Sequence, residues 1–151
     1  MPGIIVSDTS ILIVLKKIGR LEILQALFGR ITITPEIAEE FKHPLPKFIK
    51  IQNPKNKNYK RILNSILDKG EASAIALAIE TDDALLLIDD LKGRRQAKSL
   101  NVKYTGLIGI LIIAKEKAVT ASFSDIIEEI KRTDFRISPQ LIEEAKRKCG
   151  E

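Results

Sequence analysis

Residues 84–90 have the sequence ALLLIDD, in which five consecutive apolar residues are followed by two aspartates. A second segment, GIIVSD at residues 3–8, has the same form and ends in Asp8. Continuous apolar runs of this length are typical of parallel strands that are buried on both faces. In a parallel sheet the carboxyl ends of the strands lie at one edge, and ligands bind beyond that edge. The two segments therefore predict that Asp8, Asp89 and Asp90 lie at the same edge of one sheet.

The rest of the chain alternates short β-rich runs with helical patterns. Further strands are predicted at residues 31–34 (ITIT) and 101–104 (NVKY). Apolar residues at helical spacing predict helices over residues 9–17, 20–28, 35–41, 59–67, 71–80, 91–100, 106–117, 123–132 and 139–148. This order predicts an α/β fold with helices on both faces of a mostly parallel sheet. Pro44, Pro46 and Pro54 predict an extended or irregular loop between two of the helices.

The composition limits the class of protein. The 151 residues suffice for one domain with its own core, and 44% hydrophobic with 30% charged residues is atypical of disordered chains. The apolar runs are too short to span a membrane, and the N-terminal residues lack the basic region of a signal peptide. The single cysteine, Cys149, cannot form an internal disulfide. We therefore expect a cytoplasmic protein without a membrane partner, and its net charge of +5 hints at a polyanionic partner.

Two glutamates join the aspartates as candidate ligands. Glu71 begins the alanine-rich helix GEASAIALAIE, whose small side chains permit close approach to the sheet, and Glu40 on PEIAEEF should point near the apolar side. Crowded carboxylates repel one another unless they are protonated or share a hard cation such as Mg²⁺, which prefers oxygen ligands. Zinc is not expected because no His and Cys ligand set exists, and His43 is expected on the surface. In the alternative interpretation, Glu71 stabilises its helix dipole and Glu40 is an ordinary surface charge.

Basic residues surround these acids in the sequence. The stretch from residue 41 to residue 67 contains no acidic residue and carries two aromatic residues, Phe48 and Tyr59. Its candidate RNA-binding side chains are Lys42, Lys47, Lys50, Lys57, Lys60 and Arg61. The alternative is a solvated loop that charge protects from aggregation. Arg94 and Arg95 follow Asp90, and one of them either holds a phosphate or pairs with the acids.

Several segments together resemble those of PIN-domain proteins of the VapC toxin type. They are IIVSDTSILIVLKKIGRLEILQALFG, ITITPEIAEEF, DKGEASAIALAIE and LLLIDDLKGRRQAKSLNVKYTGLIGILIIAKEKAV, which cover most of residues 3–119 in matching order. The resemblance implies a three-layer fold with a sheet of four to five strands. It also implies that Asp8, Glu40 and Glu71 correspond to the first three acids of the family. The fourth lies in the Asp89–Asp90 doublet and is more easily aligned with Asp90.

The resemblance has one departure and several functional implications. Ile88 stands where the family usually has a hydroxyl residue. The segments look like one PIN subfamily, in which a Gly-Glu-Ala helix replaces the more usual helix with aspartate. Ser10 matches a hydroxyl residue near the site and is expected to contact RNA or a bound water. Family members are typically ribonucleases that use Mg²⁺ or Mn²⁺, so the resemblance implies an endoribonuclease, with Asp8, Glu71 and Asp90 as ligands and Glu40 or Asp89 acting through water.

Partners and domain limits complete the expectations. The resemblance implies the toxin of a toxin–antitoxin pair, with an antitoxin protein as partner and a homodimer as its assembly. The alternative is a catalytically silent PIN-like scaffold that binds RNA or a partner protein. We expect a nuclease domain over residues 1–120 and a C-terminal helical extension over residues 121–151 that packs on or beside it.

Overall fold

The strands of the protein form one sheet in which every pairing is parallel. The computed structural model describes residues 3–151. The strand order is β3-β2-β1-β4-β5. The strands are β1 (Ile4–Ser7), β2 (Ile31–Ile33), β3 (Ile49–Ile51), β4 (Ala84–Leu87) and β5 (Lys103–Thr105). The predicted α/β class, with four to five mostly parallel strands flanked by helices, is confirmed.

Helices connect consecutive strands and continue after the last one. Across residues 3–151 the helices are α1 (Thr9–Lys17), α2 (Glu22–Phe28), α3 (Pro35–Phe41), α4 (Lys57–Leu63), α5 (Lys69–Glu80), α6 (Leu91–Ser99), α7 (Leu107–Glu116), α8 (Phe123–Lys131) and α9 (Pro139–Lys148). Each predicted helix is present, with ends that differ from the prediction by four residues at most.

The centre of the sheet is apolar on both faces. Ile5 and Val6 point to opposite faces of β1, as successive strand residues do, and only 5% and 0% of their surfaces are exposed. Helices therefore cover both faces. β1 and β4 pair along their whole length, from Ile4 opposite Ala84 to Ser7 opposite Leu87. This register brings the residues that follow the two strands to the same edge.

Three helices that begin at this edge are capped by aspartates. Asp8 is the N-cap of α1, Asp68 that of α5 and Asp90 that of α6, and each carboxylate accepts a hydrogen bond from a backbone N–H three residues on. Such caps satisfy the free N–H groups of a first turn. The same requirement of helix formation therefore fixes three carboxylates in place.

One strand lies within the stretch predicted as an extended or irregular loop. β3 pairs with β2 from Ile31 opposite Ile49 to Ile33 opposite Ile51, so the prediction for this part of the 44–54 stretch was wrong. β3 is a three-residue edge strand in which only Ile49 is buried. One buried side chain leaves almost no hydrophobic pattern to detect.

The two C-terminal helices pack against α7. α8 buries Phe123, Ile126, Ile127 and Ile130, and α9 buries Ile142 and Ala145. The Glu151 carboxylate accepts hydrogen bonds from the backbone N–H groups of Phe123 (2.8 Å) and Ser124 (3.0 Å) and pairs with Lys115 at 2.9 Å. The Lys115 ammonium is the main reason that the pKa of Glu151 falls to about 2. No helix within residues 3–151 is long and apolar enough to cross a membrane.

Candidate metal and nucleic-acid site

Asp8 and Asp89 meet at the carboxyl edge of the two central strands. The Asp8 N–H donates to the carbonyl oxygen of Leu87 at 2.9 Å, and the Asp89 N–H donates to Asp8 Oδ2 at 3.4 Å. The predicted placement of both residues at one edge thus follows from the pairing of β1 with β4.

The Asp8 carboxylate is buried. Only 2% of the residue is exposed, and Oδ1 accepts a hydrogen bond from the Ile11 N–H at 3.1 Å. Burial is the largest cause that raises the pKa of Asp8 to about 7, and the charges of Asp89 and Asp68 raise it further. The N–H groups of Ile11 and Asp89 oppose the rise. A cation beside this carboxylate would reverse the effect, because an opposite charge favours the ionised form.

Glu71 lies in the first turn of α5 and faces other acids. Burial is the largest cause that raises its pKa to about 9, and the carboxylates of Asp68 and Asp90 within hydrogen-bonding reach add to the rise. Its Oε2 atom is buried and has no hydrogen-bond partner. Such an atom is costly unless a proton or a cation occupies the space beside it.

The two residues of the Asp89–Asp90 doublet have different surroundings. Asp89 Oδ1 accepts a hydrogen bond from the Leu107 N–H at 3.3 Å, whereas Oδ2 is buried without a partner. Burial raises the pKa of Asp89, against the lowering effects of the Leu107 N–H and the Arg94 charge. Asp90 is exposed, and its Oδ2 accepts from the Gly93 N–H at 3.1 Å. Asp89 therefore lies in the buried part of the site, and Asp90 lies at its exposed edge.

Glycines make room for two of these carboxylates. A Cβ atom on Gly93 would collide with Ile88 and come within 2.9 Å of Glu71 Oε2, and one on Gly106 would collide with Asp89 Oδ1. Glycine at these positions lets α6 and the start of α7 approach the acids closely.

Glu40 lies at the side of the site. It is exposed on α3, and its Oε1 accepts a hydrogen bond from the Thr9 hydroxyl at 2.8 Å. Its carboxylate rests against Gly70 in the first turn of α5, where a Cβ atom would overlap it. Glu40 therefore lies between the residue after Asp8 and the residue before Glu71.

Sequence reasoning missed Asp68. Its Oδ1 accepts from the Glu71 N–H at 2.8 Å, and its charge raises the pKa values of Asp8 and Glu71. The signal was present in the spacing Asp68-x-x-Glu71, which matches a helix capping box. We refer to Asp8, Asp68, Glu71, Asp89 and Asp90 as the carboxylate cluster.

The donor chemistry of this cluster fits Mg²⁺ or Mn²⁺. All five side chains offer carboxylate oxygens, which hard divalent cations prefer. Two buried oxygens, Glu71 Oε2 and Asp89 Oδ2, have no partner. His43 is exposed, follows the C-cap of α3 and packs edge-on against Phe41 at 5.0 Å between ring centres. Within residues 3–151, no three Asp, Glu, His or Cys side chains are arranged to hold an ion.

Of the three candidate RNA-binding residues Ser10, Arg94 and Arg95, the first two border the carboxylate cluster and Arg95 does not. Ser10 and Arg94 line a cavity together with Asp89 and Asp90. The Arg94 guanidinium lies over the Tyr104 ring at 5.4 Å from its centre. Arg95 instead lines a separate hollow formed by α6 and residues 65–67.

The basic stretch predicted to contact RNA is spread over the molecule. The N–H groups of Lys55 and Asn56 donate to the carboxylate of Glu80, the last residue of α5. Glu80 lies nine residues, or about 14 Å along the helix, from Glu71. α4 therefore begins far from the cluster, and Lys57 is its first residue.

The other members of the stretch have separate surroundings. Lys60 pairs with Glu36 at 2.9 Å, and Arg61 donates to Asn58 at 3.3 Å. Lys42 ends α3 in a left-handed conformation, Lys50 lies on the edge strand β3, and Lys47 lines a hollow with residues of α1 and α2. In the described part of the chain, none of these basic side chains forms an ion pair with the carboxylate cluster.

A comparison with protein families covers nearly the whole chain. The model of the family DUF3368, described as a PIN domain, matches residues 4–151. The matched range begins with β1 and includes α8 and α9. No curated protein matches the chain.

Proposed function

The chain belongs to the PIN-domain family DUF3368, and from this premise we propose that it is an endoribonuclease that uses Mg²⁺ or Mn²⁺. PIN domains are generally nucleases. The observation that carries the proposal is a series of neighbouring carboxylates at one sheet edge. Asp8 adjoins Asp89 and Asp68, Glu71 adjoins Asp68 and Asp90, and two buried carboxylate oxygens lack partners.

The proposed ligands are Asp8, Glu71 and Asp90, with Asp89 and Glu40 contributing directly or through water. A divalent ion held there supplies positive charge that stabilises the developing charge on a phosphate and favours deprotonation of the attacking water. Before the ion binds, Glu71 holds a proton near neutral pH because its pKa is about 9. Binding would release that proton, since metal ligands must be deprotonated.

Other side chains orient these ligands and the substrate. The N–H groups of Ile11 and Asp89 hold the two oxygens of the Asp8 carboxylate. The Leu107 N–H holds Asp89 Oδ1 and leaves the buried Asp89 Oδ2 without a partner. Arg94 places a positive charge beside Asp89 and lines the adjoining cavity with Ser10. We propose that Arg94 and Ser10 contact the phosphate on the far side of the ligands.

A cleavage assay tests this proposal. Fluorescently labelled RNA should be cut by the purified protein with Mg²⁺ or Mn²⁺ and not with excess EDTA. Asp8→Asn and Glu71→Gln should each lower the rate by at least 100-fold. Glu39→Gln is a matched control on the exposed face of α3 and should retain the wild-type rate. Cleavage that persists in EDTA and in Asp8→Asn would refute the proposal.

A catalytically silent scaffold is the second candidate. It is favoured by one observation, that no three acidic side chains within residues 3–151 are already arranged to hold an ion. The scaffold proposal predicts RNA or protein binding with no cleavage under any divalent ion. It is rejected if cleavage is dependent on both the ion and Asp8.

We further propose that the protein is a VapC-type toxin that acts in the cytoplasm. It would form a homodimer and bind a partner antitoxin. Support comes from exposed apolar side chains, since Ile62 and Ile66 expose 62% and 51% of their surfaces and Ile66 lines the hollow beside Arg95. Expression should arrest growth, and the product of a neighbouring reading frame should relieve the arrest. Light scattering should give twice the mass of one chain.

We propose that residues 1–120 form the nuclease unit, of which residues 1 and 2 lie outside the described part of the chain. Residues 121–151 would then be an extension of the same domain. The packing of α8 and α9 on α7 supports an extension that belongs to the same domain, because both helices add their buried faces to one continuous core.

A further inference from the structure

The segment that connects α8 to α9 borders the carboxylate cluster. We call residues 132–138 the connector. A cavity of about 360 Å³ separates them from the sheet edge. Ser10, Asp89 and Asp90 line one side of this cavity, and Phe135, Arg136 and Leu141 are among the residues of the other side. The C-terminal part of the chain therefore forms a wall beside the proposed catalytic residues.

The cavity continues into a second one between α7 and α9. This second cavity has a volume of about 240 Å³ and extends to Lys148 near the end of α9. Asp89, Arg94, Ile108 and Leu141 line both cavities, so the two form one groove that leads away from the carboxylate cluster.

Long-range ion pairs hold the connector in position. Asp134 pairs with Lys17 of α1 at 2.8 Å, and Glu129 of α8 receives two hydrogen bonds from Arg20, at 2.6 and 3.3 Å. Exposed pairs of this kind contribute little stability individually, but together they join α8 and the connector to the end of α1.

Hydrogen bonds within the connector fix its local shape. The Thr133 hydroxyl donates to the Ile130 carbonyl at 2.7 Å and accepts from the Phe135 N–H at 3.1 Å. The Arg136 guanidinium donates to the Thr133 carbonyl at 3.0 Å and is otherwise exposed. The side chains of Phe135 and Arg136 are thus presented beside the cluster by a defined turn.

The lining of the groove suits an unpaired nucleotide. Arg94, Arg136 and Lys148 bring positive charge to it, and Glu144 is the one acid outside the doublet among the described residues that line it. Phe135, Ile108 and Leu141 give apolar surface on which a base can lie, as bases do on aromatic and apolar side chains of single-strand binders. The cavity of about 360 Å³ is in the size range of pockets that hold drug-sized ligands, which is about the size of one nucleotide.

We propose that the groove between α7, the connector and α9 binds an unpaired nucleotide next to the scissile bond, with Arg136 on its phosphate and Phe135 against its base. This inference rests on the proposed ribonuclease function. It gives the C-terminal helices a direct part in substrate selection and predicts a preference for single-stranded RNA.

The test compares Arg136→Ala with Arg132→Ala, a matched control at the exposed C-cap of α8 that does not line the groove. The substrate is a fluorescein-labelled RNA of eight uridines, cleaved with Mn²⁺. Arg136→Ala should raise KM about tenfold and leave kcat within a factor of two. It should also reduce the slope of log affinity against log salt by about one. Arg136→Lys should recover part of the loss.

Binding provides a readout that does not depend on turnover. Fluorescence anisotropy of the same RNA measures its affinity for the Asp8→Asn protein. This affinity should fall about tenfold when Arg136→Ala or Phe135→Leu is combined with Asp8→Asn, and should not change when Arg132→Ala is. A 12-base-pair RNA hairpin should bind more weakly than the uridine strand. If wild-type protein cleaves but Arg136→Ala matches Arg132→Ala in KM and affinity, the groove is wrong and the ribonuclease proposal stands. If no Mn²⁺-dependent cleavage occurs, the ribonuclease proposal fails, and unchanged binding in Arg136→Ala then refutes the groove as well.

Discussion

Replacing Asp8 with asparagine should stabilise the metal-free protein above pH 7. Burial raises the pKa of Asp8 from 3.8 to about 7. The folded state therefore holds the proton more tightly than the unfolded state does. The stability that this proton provides is complete below pH 4 and is lost as the pH rises from about 4 through 7. Asparagine is neutral at every pH and avoids this loss.

The size of the effect follows from the shift. About three pH units at 1.36 kcal/mol each give roughly 4 kcal/mol of destabilisation in the wild type at pH 8. The asparagine side chain of the Asp8→Asn variant keeps an oxygen for the Ile11 N–H but loses the acceptor of the 3.4 Å bond from Asp89, at a cost of about 1 kcal/mol. The net gain is then about 3 kcal/mol, or about 1.5 M in the urea midpoint at a slope of about 2 kcal/mol/M.

Urea unfolding in EDTA at pH 4 and pH 8 measures this difference. Asp8→Asn should have the higher midpoint at pH 8 and no advantage at pH 4. Asp82→Asn changes an exposed aspartate and should behave as the wild type at both pH values. An Asp8→Asn midpoint at or below that of the wild type at pH 8 would refute the reasoning that burial strains this carboxylate.

Four further outcomes are expected. Glu71→Gln should raise the metal-free urea midpoint at pH 9 and not at pH 4, because the raised pKa of Glu71 reflects a cost of ionisation that grows through pH 9. Mn²⁺ at 100 times its Kd should stabilise the wild type by about 2.7 kcal/mol in thermal unfolding and leave Asp8→Asn unchanged. Gly93→Ala should lower Mn²⁺ affinity at least tenfold by calorimetry, since its Cβ atom would collide with Ile88 and crowd Glu71. Glu151→Gln should lower the wild-type melting temperature at pH 7 by a few degrees, and this difference should shrink between pH 4.5 and pH 2 as the wild-type carboxyl is protonated.

The sequence predicted the centre of the sheet well because its signal is hydrophobic and continuous. The segments 3–7 and 84–88 contain β1 and β4, whose residues are buried on both faces. Their following aspartates were placed at one edge by topology alone, without knowledge of any side-chain contact. The short strand β3 was not predicted from the sequence because only Ile49 of its three residues is buried.

The parts of the site that the sequence left open depend on helix rotation and on contacts between distant segments. Arg94 and Arg95 are neighbours in the sequence, yet only Arg94 faces Asp89, because successive helix residues point about 100° apart. The connector approaches Asp90 from a distant part of the sequence, and Lys17 and Arg20 form ion pairs with Asp134 and Glu129, which no local pattern encodes. Asp68 was recognisable from its spacing to Glu71 and was overlooked.

Ionisation of the buried carboxylates at this site destabilises the folded protein until a cation binds, as the raised pKa values and the oxygens without hydrogen-bond partners indicate. Asp8, Glu71 and Asp89 each ionise less readily than a free carboxyl, and burial is the main cause for all three. Functional sites commonly carry such shifts. The same carboxylates therefore determine both the pH dependence of stability and the expected cleavage activity.

The most direct measurement is a crystal structure of the protein soaked in Mn²⁺, with anomalous data that locate the ion. We expect an anomalous peak bounded by carboxylate oxygens of Asp8, Glu71 and at least one of Asp89 and Asp90. An ordered crystal in saturating Mn²⁺ with no peak at this edge, or with the ion bound only elsewhere, would contradict it.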